Sequence, residues 1–135
     1  MPFLIRRKTL AIASAVMLTA LTSSWAQAQA YPSKPIKFVV PFTAGSATDA
    51  VGRIVAQAMG DAWGQAITIE NKAGANGILG AEAVKAAPAD GYTFLVTTST
   101  TQAANVSLYK KLPYDPVKDF TPIGKIGETG FILMV

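Results

Sequence analysis

The sequence contains no cysteine and no histidine. Without cysteine the chain has no disulfide staple, no thiol nucleophile and no cysteine metal site. Without histidine it lacks the usual proton shuttle near neutral pH, and with it any Ser-His-Asp or Cys-His arrangement. Charge is sparse as well, at 15% of residues, and no two of the 8 acidic side chains stand at the spacing of a calcium loop. The glycine-rich stretches miss the nucleotide templates: Gly45-Ser46-Ala47-Thr48-Asp49 is not G-x-G-x-x-G, and Gly74, Gly77 and Gly80 have no Lys-Ser/Thr behind them. A Ser-Lys pair drawn from Ser46, Ser99 and the lysines is the one catalytic arrangement left, and neither serine stands at S-x-x-K spacing. The expectation is therefore no catalytic residue, no metal and no cofactor.

A long apolar span is also missing. The run at residues 10–21 is about 12 residues, short of the ~20 that cross a bilayer as a helix. It follows Arg6, Arg7 and Lys8 and precedes small residues at Ala26, Ala28 and Ala30. That order predicts an export signal, residues 1–30, cleaved after Ala30 and delivering the chain to the periplasm. Arg6-Arg7 fits twin-arginine export and ordinary secretion alike. Removing the signal takes 3 of the 12 basic residues and none of the 8 acidic ones, leaving 9 against 8, a net +1. The excess of positive charge belongs mostly to the signal, so neither nucleic acid nor a membrane surface is expected as a partner. About 105 residues remain, enough for one small core and short for two lobes. The closing run Phe-Ile-Leu-Met-Val reads as a buried strand without a turn after it, as in a fragment of a longer protein.

The mature chain alternates strands and helices. Residues 36–40 are a mostly apolar, β-branched run ended by Pro41, which predicts a central strand covered on both faces. Apolar residues then fall at Val51, Ile54, Val55, Ala58, Met59, Ala62 and Trp63, the stripe of a helix, with Met59 and Trp63 in the core. Gly64 ends it; Thr48 and Asp49 stand where an N-cap and an acidic first turn belong. A second strand is predicted over 66–70 and a second helix over 77–87. A third strand follows over 92–96, then a weaker helix near 103–109. Residues 112–119 form a Pro-containing loop, with short strands near 122–126 and 131–135. This spacing requires crossovers and a parallel, doubly wound α/β sheet. Three strand-to-helix loops, 42–48, 72–76 and 97–102, then emerge at one sheet edge.

Those loops carry neutral donors. The N–H groups of Gly45, Ser46, Ala47 and Thr48, with the hydroxyls of Ser46 and Thr48, precede a helix whose dipole favours an anion. The run from Thr97 to Thr101, including Thr98 and Ser99, adds hydroxyls opposite. Such donors suit a carboxylate bound reversibly, because buried arginines would hold it at high desolvation cost. Two readings stay open for each: Ser46 or Thr48 as a helix cap, and the threonine run as strand propensity with a Ser/Thr turn. Asp49 reads first as a helix-start residue, since its charge would repel a carboxylate.

The stretches YPSKPIKFVVPFTAGSATD, GQAITIENKAGANGILGAE, APADGYTFLV and LYKKLPYDPVKDFTPIG, in this order, cover nearly all of residues 31–135. The chain so resembles the extracytoplasmic solute receptors of the tripartite tricarboxylate transporter family, the Bug receptors. The resemblance implies a two-lobed α/β receptor, periplasmic binding protein type II-like. Residues 31–130 would be an incomplete first lobe, with 131–135 entering a hinge strand toward a second lobe that is missing. It implies capture of a small carboxylate and delivery to integral-membrane permease subunits. A carboxylate sensor presenting ligand to a membrane kinase is the alternative. In such receptors the loop after the first strand holds a ligand carboxylate. That loop maps here onto Phe42, Thr43, Ala44, Gly45, Ser46, Ala47, Thr48 and Asp49. The family often carries Gly-Gly where this chain has Gly45-Ser46, and glycine where it has Asn76.

Overall fold

The computed structural model describes residues 30–128. The expected export signal, but for its last residue, and the expected hinge strand at 131–135 lie outside the described residues. Strand β1 (Ile36–Val40) is the apolar run, and only Lys37 within it is exposed. Helix α1 (Ala47–Trp63) follows, then β2 (Ile67–Asn71). A 3-10 turn (Ala75–Gly77) leads into α2 (Ile78–Lys85), and β3 (Thr93–Leu95) comes next. A π-helical turn (Thr100–Ala104) then runs into the short helix α3 (Asn105–Leu108). The sheet order is β2-β1-β3, both pairings parallel, with Ile36 opposite Ile67 and Lys37 opposite Thr93. The chain is α/β, and the expected parallel sheet is present.

Side chains that alternate along a strand go to opposite faces, and two cores follow from this. Ile36, Phe38 and Val40 of β1 and Phe94 of β3 pack with Ala56, Val55 and Met59 of α1. The rings of Phe38 and Phe94 meet edge to face at 5.6 Å. Leu95, the next residue along β3, joins Ile78 and Ala81 of α2, with Tyr114 and Phe120, on the other face. Gly80 lets α2 lie close on that face, since a Cβ there would come within 2.6 Å of Pro41 Cβ.

Three sequence expectations need correction. The face of α1 is rotated from the predicted stripe: Asp49, Gly52 and Ala56 are its buried residues, whereas Ile54 is 71% and Trp63 43% exposed. Small residues make the close contact, because a Cβ at Gly52 would already touch Val40 and Val96 at 3.5 Å. The N-cap is Ser46 rather than Thr48: its Oγ accepts from the Asp49 N–H at 3.2 Å. Residues 122–126 form no strand and are exposed; Pro122 offers no N–H, and Gly124 and Gly127 weaken strand formation.

A buried polar cluster ties α3 to the rest. The Thr101 hydroxyl and the Asn105 amide both donate to Asn76 O, at 3.3 and 3.0 Å. Tyr114 donates its hydroxyl to Thr101 O and accepts from Asn105 Nδ2. Tyr114→Phe keeps the ring but leaves Thr101 O without its donor. We expect a loss of about 1–3 kcal/mol, read as a lower urea midpoint.

Candidate functional site

Because β2, β1 and β3 run parallel, the loops after all three open at the carboxyl edge of the sheet. The loop from β1 to α1 is the most built of them. Phe42 is half-buried against the first core, Thr43, Ala44 and Gly45 are exposed, and Ser46 turns back so that its N–H donates to Thr43 O at 3.1 Å. Gly45 lies in the left-handed region, φ 82°, while Ser46 has φ −68° and ψ 160°, open to any side chain. The loop therefore needs glycine at the first position of the Gly-Ser pair and accepts serine at the second. Asn76, with φ 52°, adopts the left-handed conformation that asparagine tolerates.

Asp49 is the organising group. Its side chain is 3% exposed, and both oxygens are engaged. Oδ2 accepts from the Gly45 N–H at 2.8 Å and Arg53 Nε at 2.9 Å, and Oδ1 accepts from Asn71 Nδ2 at 2.9 Å. The Arg53 hydrogen bond, then those from Gly45 and Asn71, hold this carboxyl well below the usual carboxylate range. An aspartate in the unfolded chain titrates near pH 4, so there the folded state binds fewer protons than the unfolded one. The stability contributed by Asp49 is present above about pH 4 and lost as pH falls below it. Melting curves from pH 6 to pH 2 should show this loss in the wild type and a smaller one in Asp49→Asn.

These bonds decide which donors remain. Of the four predicted N–H groups, that of Gly45 belongs to Asp49 and that of Ser46 to Thr43 O. The Ala47 and Thr48 N–H groups, in the first turn of the 17-residue helix α1, donate to no acceptor among the described residues. Ala47 is exposed and Thr48 half-buried. Across the same edge the Thr97 and Thr98 hydroxyls are buried without a hydrogen-bond partner, and Ser99 is exposed. Thr101 is fully buried in the polar cluster, and so drops out of the hydroxyl run as a donor to ligand. Two further residues build the site beyond those expected from the sequence. Asn71 reaches the loop from the end of β2, a non-local contact without a sequence signal. Arg53 stands four residues after Asp49, and the i,i+4 spacing of opposite charges was such a signal. Ser107 and Lys110 have S-x-x-K spacing; both are exposed, and no hydrogen bond joins them.

Among the described residues no cluster of side chains could hold a metal ion, and no helix is long and apolar enough to cross a membrane. A family model described as tripartite tricarboxylate transporter family receptor matches residues 51–135. The chain belongs to this family. BugT of Bordetella pertussis is 34% identical over 128 residues, which are 94% of this chain and 39% of that protein. A protein of Agrobacterium vitis from the TAR-I ttuE-ttuC' intergenic region is 45% identical over 116 residues, 84% of this chain and 33% of that one. The chain thus spans about two fifths or less of the length of these relatives. Among solved structures, MatC from Rhodopseudomonas palustris with bound malate is 44% identical with a TM-score of 0.65, covering 68% of this chain and 31% of that one. An R. palustris protein with adipate has TM-score 0.66 at 40% identity, covering 68% and 31%. The periplasmic binding protein BugD has TM-score 0.63 at 40% identity, covering 70% and 31%. The part these neighbours share with this chain is its α/β fold.

Proposed function

We propose that these residues form the first lobe of an exported receptor that captures a small carboxylate for a tripartite tricarboxylate-type transporter. The observation that carries the reading is the pair of unengaged N–H groups, Ala47 and Thr48, at the positive end of α1 on the carboxyl edge of the sheet. Two aligned amides and a helix dipole favour a carboxylate there. The hydroxyls of Ser46 and Thr48, and of Thr98 and Ser99 after β3, supply neutral donors around it. Asp49 does not oppose the ligand, because Arg53 balances its charge and its oxygens face inward. The malate and adipate found with two family neighbours support the same ligand class. The rest of the receptor would close over the ligand and present it to membrane permease subunits.

Calorimetric titration of the protein purified from its native host with malate, adipate and citrate tests this reading. Saturable binding of at least one acid, with its amide derivative inert, is the expected result. Binding of none of the three would overturn it.

A further inference from the structure

We propose that Asp49, Arg53 and Asn71 form an internal lock that holds the β1–α1 loop in its ligand-accepting shape. Asp49 is in this sense a positioning residue that does not touch ligand. The inference rests on the carboxylate reading above, and adds what makes the loop competent.

The three side chains come from two elements, the first two turns of α1 and the last residue of β2. Together they pin the loop at both ends. Asn71 Nδ2 donates to Phe42 O at 3.1 Å where the loop begins, and to Asp49 Oδ1 at 2.9 Å. Asp49 Oδ2 takes the Gly45 N–H at 2.8 Å in the middle, and Ser46 Oγ takes the Asp49 N–H at 3.2 Å where the helix starts. Arg53 completes the set, with Nε on Asp49 at 2.9 Å and Nη2 on Asn71 Oδ1 at 3.4 Å. Thr43, Ala44 and Gly45 are exposed, so these hydrogen bonds, with that from the Ser46 N–H to Thr43 O, fix the loop backbone.

Two consequences follow for a ligand. With Gly45 N–H drawn inward, the outward donors are limited to a fixed set, and their geometry is settled before ligand arrives. Pre-organised donors avoid the ordering cost that a loose loop would meet on binding. The lock also hides a negative charge within the first turn of the binding helix. A carboxylate without Arg53 would face an incoming anion across a short loop and repel it. Arg53 is the charged group facing this carboxylate, from α1. Glu70, the neighbour of Asn71 on β2, is engaged instead by Lys37 at 3.0 Å and Lys72 at 2.9 Å, and Val40 at the end of β1 and Pro41 after it carry no charge.

The test uses the protein from its native host and two variants, Asp49→Asn and Asn71→Asp, titrated with malate, adipate and citrate between pH 5.5 and pH 8. Amide hydrogen exchange of the loop is followed in parallel. Asp49→Asn should weaken the best-bound acid about tenfold or more, and speed exchange in residues 42–48 while β1 and α2 keep their protection. Asn71→Asp sets two carboxyls against each other, so one must hold a proton before the loop closes up. Its binding, relative to wild type at each pH, should be weakest at pH 8 and recover as pH falls. A general loss of stability does not produce that recovery on acidification. If the wild type binds and both variants bind within twofold of it at every pH, the positioning role is overturned while the carboxylate reading stands. If the wild type binds none of the three acids, the carboxylate reading falls, and the positioning role with it.

Discussion

Gly77→Ala is expected to lower stability by about 2–4 kcal/mol. The residue has φ 85°, a region where a Cβ is itself unfavourable, and it is buried at the start of α2 against Thr101 and Pro41. A Cβ there would collide with Thr101 Oγ1 and come within 3.2 Å of Pro41 Cβ. Neither neighbour yields easily. Thr101 is fully buried and donates to Asn76 O, while Pro41 is rigid and follows the central strand. Gly64→Ala is the control. Gly64 caps α1 with φ 65°, but a Cβ there meets nothing within 4 Å. That change should cost only the left-handed strain, about 1–2 kcal/mol. Urea midpoints of the two variants, compared with wild type, separate the strain from the collision.

Ala47→Pro should abolish most carboxylate affinity and leave the fold intact. Ala47 is the first helical residue, where the missing N–H of proline removes no backbone hydrogen bond and its fixed φ suits the helix. Ser46 before it has φ −68° and ψ 160°, the extended conformation that proline asks of its predecessor. The exchange therefore deletes one of the two outward N–H groups with little else. Stability should stay within about 1 kcal/mol of wild type. A hydrogen bond to a charged group contributes about 1.5–3 kcal/mol, so the dissociation constant should rise at least about tenfold. Calorimetric titration gives the affinity, and a thermal melt of the same sample gives the stability.

Much of the fold was legible because its signals are local. The run at residues 36–40 is β1 to the residue; its buried positions are apolar, and Lys37, the one polar position, is exposed. Gly64 ends α1, where a left-handed cap asks for glycine. The face of α1 was not legible, and the reason is volume. Apolar residues lie on more than one side of this helix, and the side that packs uses Gly52 and Ala56 to come close to β1 and β3. Hydrophobic periodicity weighs large side chains and so pointed at Val51, Ile54 and Trp63, which are exposed. The candidate site divides in the same way. Its place at the first loop follows from chain order and glycine content. Which of its N–H groups face outward depends on Asp49 folding back onto Gly45 and on Asn71 arriving from the next strand. No property of residues 42–48 alone specifies that.

The central claim is that a carboxylate meets the N-terminal amides of α1. Nitrogen-labelled protein titrated with malate, adipate and citrate, and followed amide by amide in solution, tests it most directly. The account predicts that the Ala47 and Thr48 amide signals move most within this loop, in saturable fashion, with the Gly45 amide less affected because Asp49 already holds it. Saturable binding that leaves Ala47 and Thr48 unmoved would contradict it.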